Sequence, residues 1–187
     1  MTVYPGTTVL RSDLNGKQFL NGIFMGTSGI VMQQLKELAG VTTPAVQNWV
    51  SRGFIPRPIN KRYTKDVTAR IFIINVLRNT MSLEDIKKLL VFVNGNAESH
   101  DDDIIPESEL YSYFCEVVFC EEFSYKTVSN LVLKVTADFK EKYEGDKQRL
   151  QKALEIICIN HLANNLLNKS QKLLSKVETN NIFGQTL

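Results

Sequence analysis

The chain has 187 residues, 43% of them hydrophobic and 22% charged, with a net charge of only +2. Those values suit a folded chain with a substantial core and exclude wholesale disorder. Its longest apolar runs are four or five residues, Ile71 to Ile74 among them, which excludes a membrane-spanning helix of ~20 residues.

Charge comes in blocks. Residues 42–81 carry seven bases (Arg52, Arg57, Lys61, Arg62, Lys65, Arg70, Arg78) against Asp66, a net +6, whereas 94–125 carry nine acids and no Lys or Arg. A switch of that size reads as a domain boundary. Three cysteines, Cys115, Cys120 and Cys158, are an odd number without disulfide-like spacing, so reduced thiols and a cytoplasmic location are expected. No basic cluster followed by an apolar run opens the chain, and no signal peptide is expected.

In chain order, residues 1–27 mix Gly, Thr, Asn and Pro without a sustained period and read as an arm, docked through Phe19, Leu20, Ile23 and Phe24. From Thr27 or Ser28 as N-cap, Ile30, Val31, Leu35 and Leu38 recur at helical spacing up to Gly40. Thr43 before Pro44 starts a second helix, a hydroxyl cap with proline where its missing N–H costs nothing. That helix runs to about Ser51 and buries Val46, Trp49 and Val50. The Gly53–Pro58 turn cannot be helical, because each proline biases its predecessor to extended geometry.

Lys61, Arg62 and Tyr63 then form a small β-wing. Thr64 caps a helix carrying Val67, Ile71, Ile74 and Leu77 on one side. Ser82-Leu83-Glu84-Asp85 is a capping-box-like start for the next helix, with Leu83, Ile86, Leu89, Leu90 and Val93 facing inward. Residues 94–105, with Asp101, Asp102 and Asp103, read as an acidic linker.

Residues 106–187 look wholly helical. A helix over 106–121 is apolar nearly all round (Leu110, Tyr113, Phe114, Val117, Val118) and should be buried. Residues 126–143 place Val128, Leu131, Val132, Val135 and Phe139 on one stripe, ending before Gly145. Residues 147–177 form an amphipathic helix through Leu150, Leu154, Ile157, His161 and Leu166, roughly 45 Å long at 1.5 Å per residue. A helix of that length outruns the core of a small domain, so part of it should meet a partner chain or lie across the first domain.

Val41-Thr42-Thr43-Pro44-Ala45-Val46-Gln47-Asn48-Trp49-Val50, then Gly53, then Lys61-Arg62-Tyr63-Thr64, then Ser82-Leu83-Glu84-Asp85-Ile86-Lys87-Lys88-Leu89-Leu90 resembles the DNA-binding domain of MerR-type regulators. The likeness is closer to a bacterial family called domain of unknown function 1836, itself regarded as MerR-like. The resemblance covers about residues 28–93. It implies a winged helix-turn-helix, bound as a dimer, with a C-terminal region that dimerises or senses. There are departures. Lys36 stands four before Gly40, where a small residue is usual; Gln47, Asn48 and Trp49 replace an Arg-aromatic-aromatic run; Asn60-Lys61-Arg62-Tyr63 replaces Tyr-Arg-x-Tyr; and no single long coiled-coil helix follows the DNA-binding domain directly. Base readout by MerR rules is therefore not carried over.

The residue chemistry points the same way. Gln47 and Asn48 can each donate to and accept from adenine simultaneously. Thr42 and Thr43 at the helix start can bond phosphate, though Thr43 serves equally well as a cap alone. Arg52, beyond the helix, is placed for a backbone phosphate, and Arg57 belongs to the same basic face. Lys61, Arg62 and Tyr63 either clamp the flanking backbone or enter the minor groove, with Tyr63 alternatively a packing residue. Trp49 reads as core, while Arg70 and Arg78, on helices after the wing, either belong to the basic face or, one or both, are only solvated. Cys158-x-x-His161 with Cys115 and Cys120 is not a metal site, because Cys115 and Cys120 diverge on one helix. No phosphate loop, nucleophile elbow or His/carboxylate pair appears, so neither catalysis nor a cofactor is expected.

The expectation is a mainly α protein: an N-terminal arm (1–27), a MerR-like winged helix-turn-helix with a small β-wing (28–93), an acidic linker (94–105) and a helical dimerisation or effector domain (106–187). Its expected function is that of a cytoplasmic bacterial transcriptional regulator that binds double-stranded DNA as a homodimer through its C-terminal helices and represses by occlusion. That domain leaves room for a small-molecule or protein effector. The alternative is a protein-interaction adaptor whose helix-turn-helix does not read DNA, with the −9 segment docking on a basic partner.

Overall fold

Asn15 opens the first helix. Its side chain accepts from the Gln18 backbone N–H at 2.9 Å, and the Gln18 side chain accepts from the Asn15 N–H at 3.0 Å, a reciprocal capping box. The computed structural model describes residues 2–95 and 103–179, which hold eight helices and one two-stranded sheet. They are α1 (Gly16–Ile23), β1 (Ile30–Val31), α2 (Met32–Ala39), α3 (Thr43–Ser51), β2 (Arg62–Tyr63), α4 (Lys65–Leu77), α5 (Leu83–Asn94), α6 (Glu107–Val118), α7 (Val128–Val135) and α8 (Asp146–Thr179). The architecture is mainly α. Residues 96–102 of the acidic linker, Asp101 and Asp102 included, lie outside the described residues.

α4 is the axis of the molecule. Thr68 through Ile74, Val76 and Leu77 are all buried, a wider surface than the single stripe expected, because α2, α6 and α8 all pack against it. Thr64 caps it through the Val67 N–H at 3.4 Å, and Ser82 caps α5 through the Asp85 N–H at 3.2 Å. The predicted arm is built into this core. Tyr4 stacks on Phe19 with ring centroids 3.9 Å apart and donates to the Leu14 carbonyl at 2.7 Å. Tyr111 of α6 donates to the Pro5 carbonyl at 2.8 Å. Asn75 of α4 donates to the carbonyls of Gly6 at 2.9 Å and Ala39 at 2.7 Å. The arm thus ties α2, α4 and α6 together.

α2 starts at Met32 instead of near Thr27, because Ile30 and Val31 are used by β1. That strand pairs antiparallel with β2, Ile30 opposite Tyr63 and Val31 opposite Arg62. Gly29 permits the approach: a Cβ there would stand 2.9 Å from both the Tyr63 carbonyl oxygen and the Arg62 Cβ. Gly40, at φ 64, ends α2 in the left-handed cap that glycine adopts without strain.

α7 is shorter than the stripe over 126–143 suggests. It stops at Thr136, whose hydroxyl is fully buried and donates back to the Val132 carbonyl at 2.7 Å while accepting from Gln151 of α8 at 2.9 Å. Phe139 lies in the turns beyond, still packed on the core. The first half of α8 buries Leu150, Ala153, Leu154, Ile157 and Cys158 against α4, α5, α6 and α7. Helices from both sides of the predicted linker therefore share one continuous core.

His161 sits at the edge of that core, edge-on to the Phe114 ring at 5.6 Å and tilted on Phe123 at 6.4 Å. Burial pushes its pKa down to about 4, whereas the unfolded chain titrates near ~6.5. The folded state resists this proton, so its stability is complete above ~6.5 and lost as pH falls toward ~4, by roughly 3 kcal/mol in all. Replacing His161 with Phe is expected to flatten that part of the stability–pH profile in urea titrations. A variant profile parallel to that of the natural chain would show that His161 does not set it.

Candidate nucleic-acid interface

α3 has two faces. Val46 and Trp49 are buried, while Pro44, Gln47, Asn48 and Ser51 are exposed at spacings of three and four that align them on one side. The side-chain amides of Gln47 and Asn48 hydrogen-bond to no other described residue, so both keep a donor and an acceptor for an outside partner. Ser51 donates to the Asn48 carbonyl at 2.9 Å. Thr42 is the N-cap, its hydroxyl accepting from the Ala45 N–H at 3.4 Å. The cap therefore lies one residue earlier than expected, and Thr43 is the first helical residue, half-buried, with Pro44 next.

The inward face of α3 anchors the turn that follows. The Phe54 N–H donates to the Trp49 carbonyl at 2.8 Å, and Phe54 and Ile55 are buried. Beyond them the chain turns outward to the tip at Asn60 and Lys61, both at positive φ (50 and 62). Ile59 and Arg62 exchange both backbone hydrogen bonds across that tip, at 3.0 and 2.9 Å. A two-residue loop with positive φ at both positions matches the right-handed twist of the strands it joins.

Successive strand residues point to opposite faces, and this separates Tyr63 from Arg62. Tyr63 is 4% exposed, and burial raises its phenol pKa. It is a packing residue that offers nothing to the outer surface. Arg62 stays exposed while donating to the Gly29 carbonyl at 2.8 Å.

The basic block also divides. Arg70, counted with the basic face or as a solvated residue, is neither: it is buried, donating to Glu107 at 2.6 Å and to the Phe54 carbonyl at 2.7 Å. Arg52 pairs with Glu84 of α5 and lies 5.2 Å from the Phe54 ring centroid. That pair is exposed, so Arg52 can exchange Glu84 for a phosphate at little cost. Arg78 lies over the Trp49 ring at 5.9 Å. Lys65 donates to Asn21 at 3.3 Å. Arg57 and Lys61 are exposed and pair with no acid among the described residues. Of the residues expected to form the site, Thr42, Gln47, Asn48, Arg57, Lys61 and Arg62 are presented outward; Thr43 is half-covered, Arg52 is partnered and Tyr63 is internal. Pro44, Ser51 and Ile59 share the outward surface with them; in the sequence Pro44 and Ser51 read only as helix ends, although the 44/47/48/51 spacing is legible there.

Other chemistry is sparse. Cys115 and Cys158 are buried, and burial pushes the Cys115 thiol up to about 12 and that of Cys158 higher, far from the thiolate a nucleophile requires. Among the described residues no group of three His, Cys, Asp or Glu is arranged to hold a metal ion, and no helix is long and apolar enough to cross a membrane. A cavity of about 360 Å³ lies between the arm, α6 and α7, where Leu14, Phe119, Leu131 and Val135 meet two cations, Arg11 and Lys134, and two acids, Asp13 and Glu116.

Residues 24–114 match a family described as a domain of unknown function (DUF1836). The match spans β1 to most of α6 and so includes α3, the hairpin and the Arg70–Glu107 pair. No curated protein and no solved structure matches the chain.

Proposed function

We propose that this protein is a dimeric, sequence-specific DNA-binding regulator of transcription, most simply a repressor that occludes promoters. In this reading α2 and α3 form a helix-turn-helix, α3 enters the major groove, and the Ile59–Arg62 hairpin is the wing. The supporting observation is the outward face of α3. Gln47 and Asn48 stand there with amides that bond to no other described residue, and past the Gly53–Pro58 turn the exposed Arg57, Lys61 and Arg62 pair with no acid among the described residues. Amides supply the bidentate pattern that adenine requires, and the hairpin cations supply phosphate affinity.

The second half of α8 supports dimerisation, since Leu166, Leu167, Leu173, Leu174 and Val177 are exposed there. The apolar-lined cavity beside α7 has the size of a small-molecule site and is the proposed place for an effector.

Selection of genomic fragments by the purified protein at two salt concentrations tests the reading. One palindromic site should be enriched and should survive the higher salt. With three or four phosphates engaged per subunit, log affinity should fall against log salt with a slope of roughly −5 to −7. Gln47→Ala with Asn48→Ala should erode the preference for that site by roughly 1–3 kcal/mol per lost base contact. Lys61→Ala with Arg62→Ala should instead weaken all sequences alike and flatten the salt slope. Equal losses on every sequence in both variants would refute this division of labour, and absence of binding would favour an adaptor.

A further inference from the structure

We infer that the tip of the hairpin enters the minor groove and that Ile59 is an apolar wedge pressed against a base step there, bending the DNA. The inference rests on the DNA-binding reading above and adds to it a groove, a residue and a deformation.

Ile59 is 68% exposed. A single exposed aliphatic residue is unremarkable by itself; its setting is not. It is paired directly with Arg62 across the hairpin, and directly opposed residues share a face. Tyr63, the next residue, points into the core, so Ile59 and Arg62 face outward together. Arg57 and Lys61 stand on either side in sequence and are also exposed. The tip therefore offers one exposed branched apolar group paired with Arg62 and two residues from Arg57 and Lys61, all three cations exposed. Cations are attracted to the strong negative potential of a narrow minor groove, and proteins that kink DNA from that groove insert aliphatic side chains between base steps.

The tip is also built to hold its shape. Asn60 and Lys61 are the only non-glycine residues at positive φ among those described. Asn tolerates that conformation, whereas Lys is strained by it. Local strain of this kind persists where the surroundings impose it, typically at functional positions. Here the surroundings are the double hydrogen bond between Ile59 and Arg62, the pairing of β2 with β1, and the close approach at Gly29. Pro56 and Pro58 stiffen the approach to the tip. A wedge must arrive ordered, since a flexible loop would lose its contact energy to ordering.

The test uses the full chain and a duplex carrying its selected site, with end-to-end energy transfer reporting the bend and 2-aminopurine reporting unstacking at each flanking step. The natural chain should shorten the end-to-end distance and brighten one step outside the α3 footprint in each half-site. Ile59→Ala should bind about tenfold more weakly, lose both signals and keep the salt slope, because no cation is removed. Ile59→Leu should retain both signals. Because Ile59 is exposed, neither change should move the thermal midpoint, and that measurement separates a wedge from a folding defect. A natural chain that binds no duplex would overturn the DNA reading and the wedge together. Binding that bends the site equally with Ile59→Ala would overturn the wedge alone.

Discussion

Replacing Arg70 with alanine is expected to cost roughly 3–5 kcal/mol of stability, because it strands a buried carboxylate. Arg70 is 3% exposed and Glu107 5%; their ion pair spans 2.6 Å, and Arg70 also donates to the Phe54 carbonyl at 2.7 Å. Glu107 and Phe54 are both buried, so the substitution takes from each the hydrogen bond that Arg70 supplies. A loss of that size is a large part of the ~5–15 kcal/mol that holds a domain together, so urea unfolding at neutral pH should report it directly. The double variant Arg70→Met with Glu107→Leu should lose much less, since apolar replacement of both partners removes the desolvation cost along with the attraction. Equal losses in the single and double variants would mean that the site is sensitive to packing alone.

The pair has a further consequence. It joins the turn behind α3 to the first turn of α6, while Asp66 of α4 accepts the Ser108 N–H at 2.9 Å. The base of the proposed recognition unit is therefore fastened to the C-terminal helices at two points. Single variants that remain folded should also bind DNA less well, without any change in the residues presented outward.

The second large effect is expected from Leu166→Lys with Leu173→Lys in α8. Ile159, Leu166 and Leu173 recur every seven residues, with Ala163, Ser170 and Val177 four beyond each. Leu166 and Leu173 are 69% and 56% exposed, a seam with the heptad spacing of a two-helix contact. Lys169 and Lys172 leave this stretch basic. Under the proposed reading, the paired lysine substitutions should give a monomer by light scattering at micromolar concentration. Affinity for the full palindrome should drop by about a hundredfold or more, because the second half-site contact ceases to be intramolecular. Affinity for a single half-site should hardly change, and neither should urea stability measured on the monomer, since both leucines already face solvent. A variant that remains dimeric would place the dimer contact elsewhere.

How much of this was legible depends on distance along the chain. Thr64 and Ser82 announce their helices because a hydroxyl and an N–H three residues away are enough to cap a helix. Trp49 inside with Gln47 and Asn48 outside follows from the period of α3 alone. The Asn15-x-x-Gln18 box was equally local and announced α1, although Gly, Asn and Pro around it gave the region the look of an arm. Other features could not be read this way. Nothing near Ile30 or Val31 says that they will leave a helix to pair with Arg62 and Tyr63; that choice depends on a partner some thirty residues away and on the room left by Gly29. The cost of closing such loops is repaid only when the remote partners are in place.

Charge shows the same division most clearly. Composition and periods of a few residues are enough to cluster seven bases in 42–81, to give α3 an apolar and a polar side, and to make the chain mainly helical. It takes the folded chain to place Arg70 inside on Glu107, to hold Arg52 on Glu84, to turn Tyr63 inward, and to leave Ile59 exposed beside the tip. A side chain's charge is written in its own codon, but whether that charge faces water or a buried carboxylate is set by residues far along the chain that folding brings beside it.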